Sequence, residues 1–398
     1  MGMKASKKAV VVGGSISGLF AAALLRKAGW TVDIFERSDV ELKGRGAGIV
    51  SHKELQDILV ESGAGIADLG VYVEDRVLFD DDGRVIERHR HPQIVTSWDR
   101  LQNLCREVQP QGSYHLNHNL ADFAQDDDGV TVRFQNGHVE RADLLIAADG
   151  FRSTARNHLA PAVQPIYAGY VIWRALVDEA DLDPETHKAV FDKFTFFVAP
   201  GHEVIGYPIA GPDNDLTPGK RRYNFVWYRN TDPSRLGQML TDESGRAHDI
   251  SIPPPLVRAE VVREMRDAAE NFMCTPMLNV LRAVKSAFFT PIYDLASPTM
   301  VYGRIALIGD AAFVGRPHVG LGVTKGAADA KCLADSLAAA GDDIRAGLKA
   351  FNDVRKPIGD RVVARGRELG AVLTQVHSVA AHDHQQLLRD TAADHFLR

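Results

Sequence analysis

Two kinds of residue in this sequence could bind a nucleotide: glycines that let the backbone approach phosphates, and a carboxylate placed to hold ribose hydroxyls. The run Gly13-Gly14-Ser15-Ile16-Ser17-Gly18 lies between a valine-rich apolar run, residues 9–12, and a helical pattern that begins at Leu19. This strand–turn–helix order is typical of the dinucleotide fingerprint, with Ser15 in place of its second glycine. Glu36 ends the second predicted strand, near the ~20-residue spacing of a ribose-binding carboxylate. The first βαβ unit is therefore predicted to bind a dinucleotide.

Two later apolar runs end in a glycine next to an aspartate. Residues 144–148 lead into Asp149-Gly150, and residues 305–308 lead into Gly309-Asp310. Apolar runs this continuous predict strands buried on both faces, as in a parallel sheet whose loops at the carboxyl ends bind ligands. The elements that position the glycine-rich run are therefore predicted to form a Rossmann-like α/β domain.

A second domain is predicted where the character of the sequence changes. From residue 167 to residue 294, aromatic residues gather in strand-like pieces that prolines and glycines interrupt. This pattern favours a mixed, mainly antiparallel sheet, and the chain after Gly341 is predicted to be mainly helical. The predicted division is a nucleotide-binding domain of residues 1–75, 96–165 and 286–345, a second domain of residues 76–95 and 166–285, and C-terminal helices over residues 346–398.

The composition argues against several classes of protein. The 398 residues are 45% hydrophobic and 25% charged, with a formal net charge of −6 and no long block of either sign. This favours a globular protein and argues against a nucleic-acid partner. The apolar run 19–25 is too short to cross a membrane, and three cysteines without zinc or redox spacing favour the cytoplasm. His89-x-His91 and His382-x-His384 each lack a third ligand, so no metal site is predicted, and a homodimer is left open.

Further motifs make the sequence similar to the single-component FAD-dependent aromatic hydroxylases, which have the p-hydroxybenzoate hydroxylase fold. The resemblance rests on the glycine-rich run and on Glu36-Arg37, Arg45-Gly46-Ala47-Gly48-Ile49, Trp98-Asp99-Arg100-Leu101, Asp149-Gly150-Phe151-Arg152-Ser153, Gly309-Asp310-Ala311-Ala312 and Pro317-His318-Val319-Gly320-Leu321-Gly322. More narrowly, the sequence resembles the 2,6-dihydroxypyridine 3-hydroxylase branch in Asn224, Trp227-Tyr228-Arg229, Pro253-Pro254-Pro255 and Arg316-Pro317-His318.

The resemblance implies a noncovalently bound FAD and assigns residues to it. Arg100 would reach the FAD phosphates, Asp310 would bond the ribityl chain, and Asp149-Gly150 would serve the pyrophosphate. The helix start at Gly320-Leu321-Gly322 suits the flavin ring, because backbone N–H groups there favour an anionic ligand. The other residues assigned to the cofactor are Gly13, Ser15, Ile16, Ser17, Gly18, Glu36, Arg37, Arg45, Gly48, Ile49 and Pro317. Phe313 departs from the family's usual histidine and is given no chemical role.

The resemblance also implies a reaction. NADH or NADPH would be a transient reductant, O2 would form a flavin C4a-hydroperoxide, and an electron-rich hydroxylated ring, in this branch a hydroxypyridine, would be hydroxylated. A base that ionises the substrate hydroxyl would assist, and the candidates are His52, Tyr207 and His318. Each is equally compatible with simple packing. Two other functions stay open: a flavin-dependent oxidoreductase or oxygenase acting on a phenolic or polycyclic substrate, and a flavin-bound sensor or interaction protein.

Overall fold

The computed structural model describes residues 6–42, 48–374 and 384–392. The strands in these ranges are β1 Lys8–Val12, β2 Thr31–Phe35, β3 Gly48–Ser51, β4 Val71–Phe79, β5 Val85–Ser97, β6 Tyr114–His115, β7 Leu120–Gln125, β8 Val130–Phe134, β9 Val139–Ala142, β10 Leu144–Ala147, β11 Ile166–Asp178, β12 Lys193–Ala199, β13 His202–Ile209, β14 Arg222–Asn230, β15 Ala287–Ala296, β16 Val301–Tyr302, β17 Ile305–Leu307 and β18 Phe313–Val314. The helices are α1 Ile16–Lys27, α2 Lys53–Ser62, α3 Trp98–Glu107, α4 Thr154–Leu159, α5 Pro184–Val190, α6 Pro233–Met239, α7 Ala259–Glu270, α8 Thr275–Ala283, α9 Gly322–Ala340, α10 Ile344–Thr374 and α11 His384–Asp390. No helix in the described part of the chain is long and apolar enough to span a membrane.

A six-stranded sheet carries the glycine-rich loops at one edge. Its order is β16–β17–β10–β1–β2–β6, and all neighbours pair in parallel except the edge strand β16. Val12 is in register with Phe35 and Ala147, and Ala147 with Leu307. Because parallel strands end at the same edge, the loops that follow these four residues meet there. The predicted Rossmann-like α/β domain is confirmed.

A nine-stranded sheet forms the second layer, in the order β18–β15–β11–β14–β13–β12–β4–β5–β3. Every neighbouring pair in it is antiparallel except β12 with β4. This confirms the predicted mixed, mainly antiparallel sheet, and α10 and α11 confirm the helical C-terminal part. A separate three-stranded sheet is formed by β7, β8 and β9.

Along the sequence, the chain switches from one large sheet to the other more often than the predicted domain division assumes. Strands β3 and β15 belong to the nine-stranded sheet, although both fall in segments assigned to the nucleotide-binding domain. Sheet membership does not by itself set a domain boundary, so the division stays a prediction.

The two faces of the nine-stranded sheet pack against different hydrophobic cores. Trp173 of β11 lies opposite Trp227 of β14, and both pack with apolar residues of α6, α7 and α8. Tyr170 and Tyr228 belong to the core on the other face, which also contains Leu388 of α11. Successive side chains of a strand point to opposite faces, so β14 presents neighbouring residues to two separate environments.

A fully buried cluster of charges holds the turn that follows β17. The carboxylate of Asp329 on α9 accepts hydrogen bonds from the Gly309 N–H at 3.0 Å and from Arg355 Nε of α10 at 2.7 Å. Lys325 Nζ donates to that carboxylate at 3.1 Å and to the Gly309 carbonyl at 3.0 Å. Burial alone would raise the pKa of Asp329, but the two cations outweigh it and hold the pKa below its ordinary value. The cluster therefore fixes the backbone next to Asp310.

Asp329→Asn should lower the free energy of unfolding by about 3–5 kcal/mol, because two buried cations would lose their shared counter-charge. Urea denaturation at neutral pH measures this loss. Since the folded pKa of Asp329 is depressed, its stabilisation is present above the ordinary aspartate pKa of about 3.9 and is lost as the pH falls below it.

The matched control is Asp353→Asn on α10. Asp353 pairs with Lys349 four residues away, and both side chains are largely exposed, so its loss should be about 0.3–0.5 kcal/mol. Equal losses in the two variants would contradict the role assigned to the buried cluster.

Candidate active site

An open cleft of about 170 Å³ lies at the edge of the six-stranded sheet where the parallel strands end. Its walls come from the loops after β1, β2 and β10, from the start of α3 and from the segment before β7. The lining residues are Val12, Gly13, Ser15, Phe35, Glu36, Arg37, Leu42, Trp98, His118, Asn119, Leu120, Ala148, Asp149, Gly150, Arg152 and Thr154. The predicted residues Gly13, Ser15, Glu36, Arg37, Asp149 and Gly150 are thus brought together in one place.

The glycine-rich loop can approach the residue that follows β10 because Gly13 has no side chain. Gly13 has a φ of +106°, and a Cβ there would lie 2.2 Å from the Ala148 carbonyl oxygen. A Cβ on Gly18 would lie 2.0 Å from the Gly13 carbonyl oxygen. Ser15 precedes α1, and its side chain makes no capping hydrogen bond. The first N–H groups of α1 and the Ser15 hydroxyl are therefore suited to bind a phosphate.

Glu36 holds the loop as well as lining the cleft. One carboxylate oxygen accepts the Gly14 N–H at 2.8 Å and the other accepts the Ser38 N–H at 2.9 Å. Each oxygen keeps a further lone pair for a ligand hydroxyl, so Glu36 can order the loop and still bind a ribose.

Asp149 presents an unsatisfied acceptor to the cleft. Its Oδ2 accepts the Ala155 N–H at 3.1 Å, whereas its buried Oδ1 has no partner in the described part of the chain. Burial raises the pKa of Asp149 above its ordinary value. An acceptor left unpaired in a binding cleft is costly and fits a ligand that brings hydroxyl donors.

A second group of predicted residues surrounds the start of α9. Asp310 is exposed, and its carboxylate has no hydrogen-bond partner in the ranges the structure describes. Pro317 begins a short 3₁₀ turn, Gly320 has a φ of +63°, and α9 starts at Gly322 without a side-chain cap. A Cβ on Gly322 would meet only open space, so a flat ligand could approach these N–H groups.

Two predicted cofactor residues, Ser17 and Arg100, make contacts within the protein. The Ser17 side chain packs against two glycines. A Cβ on Gly309 would lie 2.6 Å from Ser17 Oγ, and a Cβ on Gly326 would lie 2.2 Å from it. Arg100 donates to the Ala67 carbonyl at 2.8 Å, and its buried Nε has no partner within the described ranges.

Four other predicted cofactor residues are not among those that line the cleft. Gly48 and Ile49 belong to β3, and Ile16 and Gly18 lie in the first turn of α1. Arg45 and His382 lie outside the described residues.

His318 lies at the centre of a buried polar network. Its Nδ1 is 2.8 Å from Glu203 Oε2 of β13, and its Nε2 is 3.1 Å from the Tyr170 hydroxyl of β11. The ring stacks on Tyr228 at 4.1 Å, and only 2% of the residue is exposed. In the tautomer that donates Nδ1–H to the Glu203 carboxylate, Nε2 accepts a hydrogen bond from the Tyr170 hydroxyl.

His52 is buried nearby and is tied to the C-terminal segment 384–392. Its Nδ1 lies 2.9 Å from the Thr324 hydroxyl, and its Nε2 lies 2.9 Å from the Ala392 carbonyl oxygen. A carbonyl only accepts, so Nε2 carries the hydrogen and the Thr324 hydroxyl donates to Nδ1. The Ala392 N–H in turn donates to the His318 carbonyl at 3.0 Å, which connects the two predicted histidines.

Arg76 anchors the same C-terminal segment. This fully buried side chain donates to the Leu388 carbonyl at 2.8 Å and to the Thr391 carbonyl at 2.5 Å. Burial lowers the pKa of Arg76 to about 10, so it stays charged at neutral pH. The Arg76 guanidinium also lies over the Phe194 ring, which helps to fix the side chain against the sheet.

Tyr207 has a different environment from the histidines. Its hydroxyl donates to the Gly48 carbonyl at 2.8 Å, and its ring stacks on Phe194 at 4.6 Å. Burial raises the pKa of Tyr207 to about 12, which makes it a poor proton acceptor in its ordinary neutral state.

Sequence reasoning missed several residues of the site. The cleft-lining residues His118 and Asn119 follow no motif, and Glu203, Tyr170 and Arg76 lie within ordinary strand patterns. Among the missed cleft-lining residues, Trp98 and Arg152 lie in sequence motifs. Trp98 belongs to the motif that includes Arg100, and Arg152 to the motif that begins at Asp149.

The site combines a glycine-rich helix start, a cleft-lining carboxylate and a second uncapped helix start near an exposed aspartate, which are features of a dinucleotide-binding protein. The chain belongs to the family described as FAD binding domain, whose model matches residues 6–191 and 260–366. A second model, described as FAD binding domain-like, matches residues 167–294.

Individual relatives define the class further. The chain is 34% identical over 348 residues to the 2,6-dihydroxypyridine 3-monooxygenase of Paenarthrobacter nicotinovorans, covering 86% of this chain and 85% of the relative. It is 28% identical to a salicylate hydroxylase of Pseudomonas putida, covering 97% and 90%. The solved structure of 2,6-dihydroxypyridine-3-hydroxylase from Arthrobacter nicotinovorans superposes with a TM-score of 0.88 at 30% identity, covering 96% of both chains. The chain is an FAD-dependent aromatic monooxygenase, as the resemblance implied.

The hydrogen-bonding groups that the site residues leave available match those of FAD. The unpaired Asp149 oxygen and the free Asp310 carboxylate are acceptors for sugar hydroxyls, and two uncapped helix starts offer N–H donors to phosphates and to the ring. No group of three histidine, cysteine or acidic side chains in the described ranges is placed to hold a metal.

Asp310→Ala should weaken FAD binding roughly 10- to 100-fold, because a charge-assisted hydrogen bond is worth about 1.5–3 kcal/mol. Fluorescence titration of FAD into the apoprotein measures the affinity. Asp335→Ala is the control, since Asp335 lies on the exposed side of α9 and pairs with Lys331. An FAD affinity that is the same in the Asp310 variant and the wild type would remove Asp310 from the site.

Proposed function

We propose that this chain uses NADH or NADPH and O2 to hydroxylate a ring that already bears a hydroxyl, namely a hydroxypyridine. The similarity to 2,6-dihydroxypyridine 3-monooxygenase supports this substrate class. The observation that carries the proposal is the buried His318–Glu203–Tyr170 network next to the start of α9. Bound FAD supplies the electron transfer and the activation of O2.

The network is built to move a proton. Glu203 fixes the Nδ1–H tautomer of His318, and the unprotonated Nε2 then accepts from the Tyr170 hydroxyl. A hydroxypyridine that transfers its own proton into this network becomes more electron-rich at the carbon to be oxygenated. Burial raises the pKa of Tyr170 above its ordinary value, so Tyr170 relays a proton and does not keep a negative charge.

The geometry favours His318 over the other two candidate bases. Nε2 of His52 and the Tyr207 hydroxyl each donate to a backbone carbonyl, which cannot take up a proton. Both ring nitrogens of His318 are also bonded, but to the Glu203 carboxylate and the Tyr170 hydroxyl, which can stabilise and relay a proton. We therefore assign His52 to positioning the C-terminal segment and Tyr207 to holding β3.

The FAD-loaded enzyme should oxidise NADH or NADPH much faster when 2,6-dihydroxypyridine is present, with one oxygen atom from 18O2 appearing in the product. Absorbance at the nicotinamide band and mass spectrometry of the product measure the two events. A panel of phenols, including salicylate, tests the alternative substrates. A yellow protein that no member of the panel stimulates would favour the sensor function and contradict the proposal.

His318→Ala should slow hydroxylation by ~10²–10⁴ at neutral pH, with partial recovery at high pH where the substrate ionises unaided. Product and H2O2 are quantified separately against nicotinamide consumed, since a lost base wastes reductant. Glu203→Gln should show a smaller loss with the same pH trend.

His52→Ala is the comparison, because His52 is buried to a similar degree but its Nε2 donates to a backbone carbonyl, whereas Nδ1 of His318 faces the Glu203 carboxylate. If His52→Ala loses coupling while His318→Ala keeps it, the proton network proposed here is wrong.

A further inference from the structure

A second cavity, of about 350 Å³, lies on the face of the nine-stranded sheet that points away from His318. Its lining residues are Trp173, Arg229, Asn230, Thr231, Asp232, Arg235, Met239, Val261 and Glu264, none of which lines the cleft of the six-stranded sheet. Tyr228 stacks on His318, whereas its neighbours Trp227 and Arg229 point to the opposite face. The β-sheet therefore separates this cavity from the active site.

Two hydrogen-bond donors in the cavity have no acceptor among the residues that the structure describes. The Arg229 guanidinium lies over the Trp227 ring at 5.4 Å but makes no hydrogen bond or ion pair within the described residues. The indole Nε1–H of Trp173, a residue only 1% exposed, is likewise unsatisfied there. Burial, with the nearby charge of Arg235, lowers the pKa of Arg229. Leaving such donors unpaired costs free energy, which an incoming acceptor would recover.

The other charges of the cavity already have partners. Arg235 pairs with Glu264 and donates to Gln238. Asp232 accepts the Arg235 N–H at 3.0 Å and so caps α6. This leaves Arg229 as the lining cation without a counter-ion among the described residues, so the cavity favours an anion.

The floor of the cavity is apolar. Trp173, Met239 and Val261 are all buried and belong to the same core. An apolar floor beneath a free guanidinium suits a small flat ring that carries one carboxylate, because arginine binds carboxylates with two parallel hydrogen bonds. The volume is within the range of small-molecule sites.

We propose that this cavity is a second ligand site, separate from the flavin site, that binds a small aromatic or heteroaromatic monocarboxylate. The carboxylate accepts from the Arg229 guanidinium and from the Trp173 indole N–H, and the ring lies on the apolar surface that Trp173, Met239 and Val261 form. The site is independent of which substrate the enzyme hydroxylates.

Benzoate is the probe, titrated calorimetrically into the FAD-loaded enzyme. Arg229→Gln should weaken binding at least tenfold, and Trp173→Phe, which keeps the apolar floor but removes the N–H donor, should weaken it several-fold. Arg282→Gln is the matched control, because Arg282 lies on α8, is exposed and is paired with Glu270. An Arg229→Gln affinity equal to that of the wild type would overturn the proposal.

Crystals of the holoenzyme soaked with 4-bromobenzoate locate the ligand by the anomalous signal of bromine. Bromine in the cavity beside Trp173 supports the site, and it keeps the proposal testable if Arg229→Gln fails to fold. Bromine only in the flavin cleft, or none at all, would contradict it.

Discussion

One buried carboxylate, that of Asp329, joins three parts of the molecule on which the flavin site depends. It accepts from the backbone after β17, from a lysine one helical turn away on α9, and from an arginine of α10. Taking these charges out of water is expensive, and only full mutual pairing offsets the cost. The position of the Asp310 turn relative to the start of α9 is consequently set by charges that cannot separate without exposing one another. The turn at Asp310 and the first part of α9 are therefore held by this single group.

The nine-stranded sheet separates two environments, because successive side chains of its strands point to opposite faces. On one face, Tyr170 and Tyr228 enclose His318, and Glu203 from the adjoining strand completes the buried polar network. On the other face, Trp173 and Arg229 border a cavity roofed by α6 and α7. Since one residue step along a strand reverses the face, a shift in register would exchange the contents of the two environments. The full run of paired residues between β11 and β14, from Tyr170 to Asp178, guards against such a shift.

The nucleotide half of the site was predictable because its signals are local. A strand, a glycine turn and a helix follow one another directly, so Gly13, Ser15 and Glu36 could be placed from their own neighbourhood, and the Gly–Asp turns after β10 and β17 likewise. The buried polar network around His318 was not predictable, because Glu203, Tyr170 and His318 come from separate strands and a turn, and a glutamate in a strand has no distinguishing pattern. The assignment of His52 shows the same limit. Its position beside the site could be guessed, but its two bonding partners depend on contacts with Thr324 and Ala392 that no short motif encodes.

The bond between His52 and Ala392 spans 340 positions of the chain, and this has a consequence for the order in which the enzyme is made. A ribosome delivers the glycine-rich loop and β1 first, and early segments generally begin to fold as they emerge. The surroundings of both histidines, by contrast, stay incomplete until residues 384–392 arrive and dock on Arg76. The entropy of closing so long a loop rises only with the logarithm of its length, but such distant contacts slow folding. The surroundings of the two histidines are therefore the last of the described parts of the molecule that synthesis can complete.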